Sequence, residues 1–305
     1  MKELYIPSTD GKNKLHVVIW EPDIQVIGVV QISHGMVEYI KRYDEFARYL
    51  NQYGILVIGN DHLGHGETAK TDDDLGYFCA SNMSETVVAD LYEITCFTKK
   101  NYPNVPYFLF GHSMGSMIVR LYLSKYSSLL KGVVICGTAG PNPVSKAGMM
   151  LCKRVIAAQG ADTPAPKLNR LIFGSYNKCF DRPKSENAWL SRDEEMVEAY
   201  DRDPLCGFPF TASAYLDLLS LQYFSNTKLW YKTLDPTLPM LLISGSMDPV
   251  GNYGKGIGYI EKQLQKVGIH DVTVWLYPEA RHELLNETNR DEVMRDVLSW
   301  FAVHL

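Results

Sequence analysis

The pentapeptide Gly111-His112-Ser113-Met114-Gly115 constrains this chain more than any other stretch. It follows the apolar run Tyr107-Phe108-Leu109-Phe110 and precedes Met114 to Tyr126, which has helical patterning. G-x-S-x-G between a strand and a helix is the sequence of a nucleophile elbow, a tight turn that lifts a serine hydroxyl into the open above a sheet. Glycine is required at both ends, because a Cβ there would strike the neighbouring strand or helix as the backbone reverses. The helix that begins at the serine points its N-terminal dipole and free N–H groups at the place where an oxyanion would form.

A serine hydroxyl is a poor nucleophile unless a base stands beside it. Two downstream segments offer the partners. Pro239 to Gly245 reads as a buried strand, and Asp248 lies in the loop that follows it. Asp271 to Tyr277 reads as a second buried strand, followed by Pro278-Glu279-Ala280-Arg281-His282-Glu283. Both candidates sit just past the C-terminal end of a strand, where open α/β sheets place their sites. The other histidines belong to other motifs or follow no strand-end loop. Ser113, Asp248 and His282 are therefore the expected nucleophile, orienting acid and base. Glu283 is a poor substitute for Asp248, because a residue adjacent to the base in sequence seldom reaches its Nδ1. Upstream, the strand run Val26 to Ile32 ends in Ser33-His34-Gly35-Met36, a His-Gly turn suited to an oxyanion hole. The backbone N–H groups of Met36 and Met114 are the expected donors, and His34 is expected to brace the turn.

Taken together, five pieces resemble the monoacylglycerol lipase and lysophospholipase-like group of α/β hydrolases, which includes serine aminopeptidase S33-type domains. They are His34-Gly35-Met36-Val37-Glu38, Asn60-Asp61-His62-Leu63-Gly64-His65-Gly66, Gly111 to Ser116, Gly245 to Val250, and Arg281-His282-Glu283. They occur in the expected order and span most of the chain. The resemblance implies an α/β-hydrolase fold: a mostly parallel central sheet flanked by helices, with a helical cap inserted over the active site. It departs from the group's pattern at Tyr39, where a histidine is usual, and at Glu67, where a serine is usual. The first departure bears on the alcohol side of the pocket. Glu38, Arg42 and His112 are candidates for holding the polar end of a glycerol-like alcohol, although Glu38 and Arg42 equally suit a structural ion pair. The Asp61 to Gly66 cluster reads as a structural loop rather than a metal site.

Length and composition agree with this. A chain of 305 residues, 46% apolar, can bury a sizeable core. Alternating strand and helix patterns from residue 15 to 140 suggest βαβ units. The alternation breaks after Pro141 and returns at Pro239, a gap too long for a strand crossover. Residues 1–140 and 236–305 are thus expected to form the hydrolase core and residues 141–235 an inserted cap. Apolar groups in that segment, among them Met149, Met150, Leu151, Leu171 and Phe173, suggest an acyl tunnel and a transient contact with membrane surfaces.

A net charge of −5 with mixed signs argues against nucleic acid as a partner. No apolar window approaches a membrane span, and the first residues lack the apolar region of a signal peptide, so a cytoplasmic protein is expected. The six cysteines show no zinc spacing and read as free thiols. No cofactor is expected. The function that these readings imply is a serine hydrolase of fatty-acid esters, acting on monoacylglycerol or lysophospholipid through an acyl-enzyme on Ser113. The alternatives are a short-chain carboxylesterase, an aminopeptidase or amidase of the same fold, and a ligand-binding receptor that retains the triad.

Overall fold

The computed structural model describes residues 1–78 and 83–305, so Cys79 lies outside the described residues. The strands are β1 (Lys2–Pro7), β2 (Lys14–Trp20), β3 (Gly28–Ser33), β4 (Ile55–Asn60), β5 (Tyr107–His112), β6 (Gly132–Cys136), β7 (Met240–Gly245) and β8 (Val272–Tyr277). They form one sheet in the order β1-β2-β4-β3-β5-β6-β7-β8. β2 pairs antiparallel with both β1 and β4, and every pair from β4 to β8 is parallel. The central strands β3 to β7 are buried along their whole length, which is why they read as continuous apolar runs rather than as alternation.

Both sheet faces are covered. Leu109 and Leu242 point to a core shared with the helices α2 (Met83–Asn101), α3 (Met114–Tyr126) and α9 (Lys255–Lys266). Phe108, Phe110, Leu241 and Ile243 point the other way, towards α1 (Asp44–Asn51) and α10 (Arg290–His304). Successive residues of one strand thus serve two cores. Asn289, at the N-terminus of α10, caps no backbone N–H, because its Oδ1 accepts from Arg192 Nη2 at 2.8 Å.

Between β6 and β7 the described chain is helical, with α4 (Ser145–Gln159), α5 (Pro166–Phe173), α6 (Glu194–Arg202), α7 (Ala212–Phe224) and α8 (Lys228–Lys232). An isolated bridge, Pro164 to Thr211, ties its two halves together. Tyr215 of α7 and Trp230 of α8 are buried in the same core as α3. The five described cysteines are free; Cys136, Cys152 and Cys206 are buried, and Cys179 is exposed. No described helix is long and apolar enough to cross a membrane.

Candidate active site

β4 lies on one side of β3 and β5 on the other, so the chain switches direction at β3, the place where α/β sheets open a crevice. Ser33 pairs with Gly111 and His112 with Cys136, which brings the predicted loops to one edge. At Ser113 the backbone turns through φ 53° and ψ −117°, a region costly for a residue with a Cβ. The flanking glycines explain how the turn fits. A Cβ on Gly115 would lie 2.0 Å from Ser33 O, and one on Gly111 would lie 2.7 Å from Gly115 O.

His282 and Asp248 are both buried, and His282 Nδ1 lies 3.0 Å from Asp248 Oδ1. That contact places the Nδ1 proton towards the carboxylate and leaves Nε2 as the free lone pair. Asp248 also accepts from Val250 N at 2.9 Å and from Ser244 Oγ at 3.3 Å. Burial alone would raise its pKa, but the neighbouring His282 outweighs burial and holds the carboxyl below its ordinary range. Gly137 passes beneath the imidazole, where a Cβ would lie 3.1 Å from Cε1. Trp189 covers the ring from the other direction, at 5.1 Å between centroids.

Ser113, His282, Gly35 and Met36 line one cavity of about 570 Å³. Among the described residues, neither the Met36 nor the Met114 N–H donates a hydrogen bond. His34 braces the turn as expected: its Nδ1 lies 2.7 Å from Gly35 O, and its Nε2 accepts from His62 N at 2.9 Å. Burial holds His34 and His62 below their ordinary pKa and pushes His65 down to about 3, so the three rings are neutral.

Glu38, Arg42 and His112 meet in a buried network rather than standing free. Glu38 Oε1 accepts from Gly35 N at 2.6 Å, Tyr43 OH at 2.9 Å and His112 Nδ1 at 3.1 Å. Its Oε2 accepts from Arg42, whose guanidinium also forks onto both oxygens of Glu283 at 2.8 and 2.7 Å. Burial would raise the Glu38 pKa; His112 and Arg42 hold it well below the carboxylate range. Glu38 and His112 still form part of the cavity wall, and Arg42 lies behind it. Tyr39 turns away from the cavity and donates to Asp203 Oδ2 at 2.7 Å. Glu67 pairs with Lys41 at 2.7 Å. Among the described residues one group, Glu3, His16 and Glu67, could offer ligands to a metal ion, and the Lys41 ammonium lies against both of its carboxylates.

The cavity wall departs from the sequence reading. Of the apolar cap residues expected to form a tunnel, Phe173 reaches it, whereas Met150, Leu151 and Leu171 are exposed. Trp189, Leu190, Tyr200 and Phe208 supply the remaining apolar wall. The reason is helical phase: α4 and α5 turn only part of their apolar surface towards the core.

The sequence profile of the family described as "Serine aminopeptidase, S33" matches residues 24–289. The chain belongs to this family of α/β hydrolases. It is an enzyme of the serine-hydrolase class, and the family members to which it is similar are ester hydrolases along nearly their whole length. A monoacylglycerol lipase of Mycolicibacterium smegmatis is 27% identical over 94% of this chain and 92% of its own. A monoglyceride lipase of Mus musculus is 28% identical over 98% and 89%. Among solved structures, a thermostable carboxyl esterase from Bacillus coagulans in complex with glycerol superposes with a TM-score of 0.92 at 30% identity, covering 99% of this chain and 97% of that one.

Proposed function

We propose that this S33-family protein hydrolyses fatty-acid monoesters of a small polar alcohol, with monoacylglycerol as the leading substrate and lysophospholipid as a further one of the same class. The observation that carries the reading is the Asp248–His282 contact of 3.0 Å on the wall of the cavity into which the strained Ser113 turn opens. Ser113 Oγ attacks the acyl carbonyl while His282 Nε2 takes its proton, and Asp248 stabilises the imidazolium without becoming protonated. The carbonyl oxygen becomes an oxyanion against the Met36 and Met114 N–H groups. Collapse of the tetrahedral intermediate breaks the ester bond, and His282 returns the proton to the departing alcohol. Water, deprotonated by His282, then attacks the acyl-enzyme, releases the fatty acid and restores the serine.

Residues 141–235 act as the cap in this scheme, and the apolar wall of Phe173, Trp189, Leu190 and Phe208 receives the acyl chain. The cavity volume suits one acyl chain and a small head group. A peptidase would need a free carboxylate to hold the substrate amine. Of the carboxylates on the cavity wall, Glu38 and Glu283 are committed to Arg42, whereas Glu186 is exposed with no ion pair among the described residues, so amide cleavage is tested beside ester cleavage. The deciding measurement is hydrolysis of monoacylglycerol and of p-nitrophenyl esters from acetate to palmitate by wild type and Ser113→Ala. Turnover that extends to long chains and falls on the order of 10⁶-fold in the variant is expected. Retained turnover in Ser113→Ala, or cleavage of aminoacyl amides in preference to esters, would overturn the reading.

A further inference from the structure

His112, the residue before Ser113, is buried and faces an oxygen at each ring nitrogen. Its Nδ1 lies 3.1 Å from Glu38 Oε1, and its Nε2 lies 3.4 Å from the backbone oxygen of His282. A neutral imidazole carries one N–H, and its other nitrogen would then turn a lone pair towards an oxygen that can only accept. The ring answers both oxygens only with a proton on each nitrogen.

The surroundings supply the counter-charge. Glu38 and Glu283 are both carboxylates, and Arg42 cancels one of them, so a cationic His112 brings the buried group to neutrality. Asp248, bonded to the His282 ring that lies 4.9 Å from His112, favours the proton from further away. His34, Tyr43 and Cys136 are held neutral by burial and add no charge. Burial alone would lower the His112 pKa; Glu38 and Glu283 hold it above the ordinary 6.5.

The two contacts also join two parts of the site. Glu38 Oε1 accepts from Gly35 N at 2.6 Å, so Glu38 fixes the turn on which Met36 follows. His112 links that carboxylate to the backbone of His282, on the other side of Ser113. We propose that His112 is a positioning residue that works as an imidazolium, its two N–H groups tying the Met36 turn, through Glu38, to the backbone of His282. The inference rests on the serine-hydrolase reading for the reaction that it assists, while the charge of the ring is read from these contacts alone. Loss of one proton keeps the charge-assisted bond to Glu38 and releases the His282 oxygen.

The test compares wild type, His112→Asn and His112→Gln on glycerol monobutyrate and p-nitrophenyl butyrate, with circular dichroism to show that each is folded. An asparagine amide reaches where Nδ1 stood and a glutamine amide where Nε2 stood, so the first keeps a donor to Glu38 and the second a donor to His282. Wild-type kcat should fall roughly three- to tenfold, to a lower plateau, as pH rises past the ordinary 6.5. His112→Asn should sit on that plateau at every pH, His112→Gln should lie above it, and neither should show the alkaline fall. KM should change by less than about twofold for both esters. A rise in KM confined to the glycerol ester would make His112 a contact for the alcohol, and an alkaline fall that survives in both variants would belong to another group; either result overturns the proposal. Ring nitrogen NMR of histidine-labelled protein, with His112→Asn assigning the signal, reads the proton count without turnover. At about pH 6 both His112 nitrogens should be protonated while His34, His62 and His65 stay neutral. A neutral His112 ring there would overturn the proposal even in an active enzyme. A doubly protonated ring in a protein without Ser113-dependent turnover would uphold the charge and overturn the hydrolase reading instead.

Discussion

A carboxylate removed from water requires its charge to be met by donors, and Glu38 has four: Gly35 N, Tyr43 OH, His112 and Arg42. Arg42 is cationic and serves Glu283 at the same time, so three charged side chains, with the His112 ring against Glu38, share one buried patch beside Ser113. Replacing Arg42 by methionine would leave two buried carboxylates facing each other. A loss of about 3–5 kcal/mol in urea unfolding is expected, with Arg42→Lys intermediate because an ammonium cannot fork across two carboxylates. The same network makes stability depend on pH. Burial lowers the His112 pKa, but Glu38 outweighs it and the net shift is above the ordinary 6.5. A raised pKa contributes stability that is complete below 6.5 and is lost as pH rises through the folded value. Urea midpoints should therefore fall between pH 6 and pH 9, and His112→Gln should flatten part of that fall. The remainder belongs to His16, whose pKa is raised by Asp61 and Glu3 against the effect of burial. On the acid side Glu38, Glu283 and Asp248 are all held low, so their contribution is present above about pH 4.5 and is lost as pH falls further.

At the scale of elements, the elbow depends on how closely α3 approaches β3. Gly115→Ala would place a Cβ 2.0 Å from a backbone oxygen that cannot swing aside. Ester hydrolysis should fall by more than a hundredfold as the Met114 N–H is displaced, measured beside circular dichroism to show that the fold persists. The same helix carries Arg120, fully buried and without a carboxylate partner among the described residues. Its Nη1 donates to Ala139 O at 3.1 Å and its Nη2 to Asn226 Oδ1 at 3.0 Å and to Ser225 O, so one side chain clasps both roots of the helical insertion. Burial lowers its pKa to about 10. Arg120→Met should cost about 2–4 kcal/mol through the orphaned carbonyls and should speed limited proteolysis near both roots. These elements were unequally legible in the sequence. The central strands and α3 were readable because burial on both faces leaves an apolar run and the elbow fixes where the helix starts. β1 was missed because an edge strand such as Lys2–Pro7, half in water, carries polar residues and no strong pattern. Met36, Met114, Asp248 and His282 were readable as motifs at strand ends. Trp189 and the clasp of Arg120 were not, because their partners lie about a hundred residues away and no local pattern marks them.

Across the whole molecule, the insertion and the sheet build the site jointly. The turn that carries Met36 is held from above: Val37, at φ 48°, presents its carbonyl to Tyr200 OH at 3.0 Å and to Gly207 N at 3.0 Å. The loop that carries His282 is held likewise. Glu283 N donates to Leu190 O at 2.7 Å, Arg281 reaches Ser191 O at 2.9 Å, and Arg192 Nε reaches the buried Glu287 at 2.8 Å. Segment 188–207 of the insertion is thus tied to both sides of Ser113, and movement of the insertion as one rigid lid would break these bonds together. The parts free to move without that cost are α4 and the outer face of α5, which make none of them. Tyr200→Phe tests this arrangement with the loss of a single hydroxyl. The Val37 carbonyl would keep its bond from Gly207, so stability should fall by only about 1 kcal/mol. The Met36 N–H would lose a restraint on its direction, and kcat should fall three- to tenfold with KM nearly unchanged, for acetate and palmitate esters alike. A loss confined to long-chain esters would instead make Tyr200 part of the acyl wall, and an unchanged kcat would mean that Gly207 alone sets the turn.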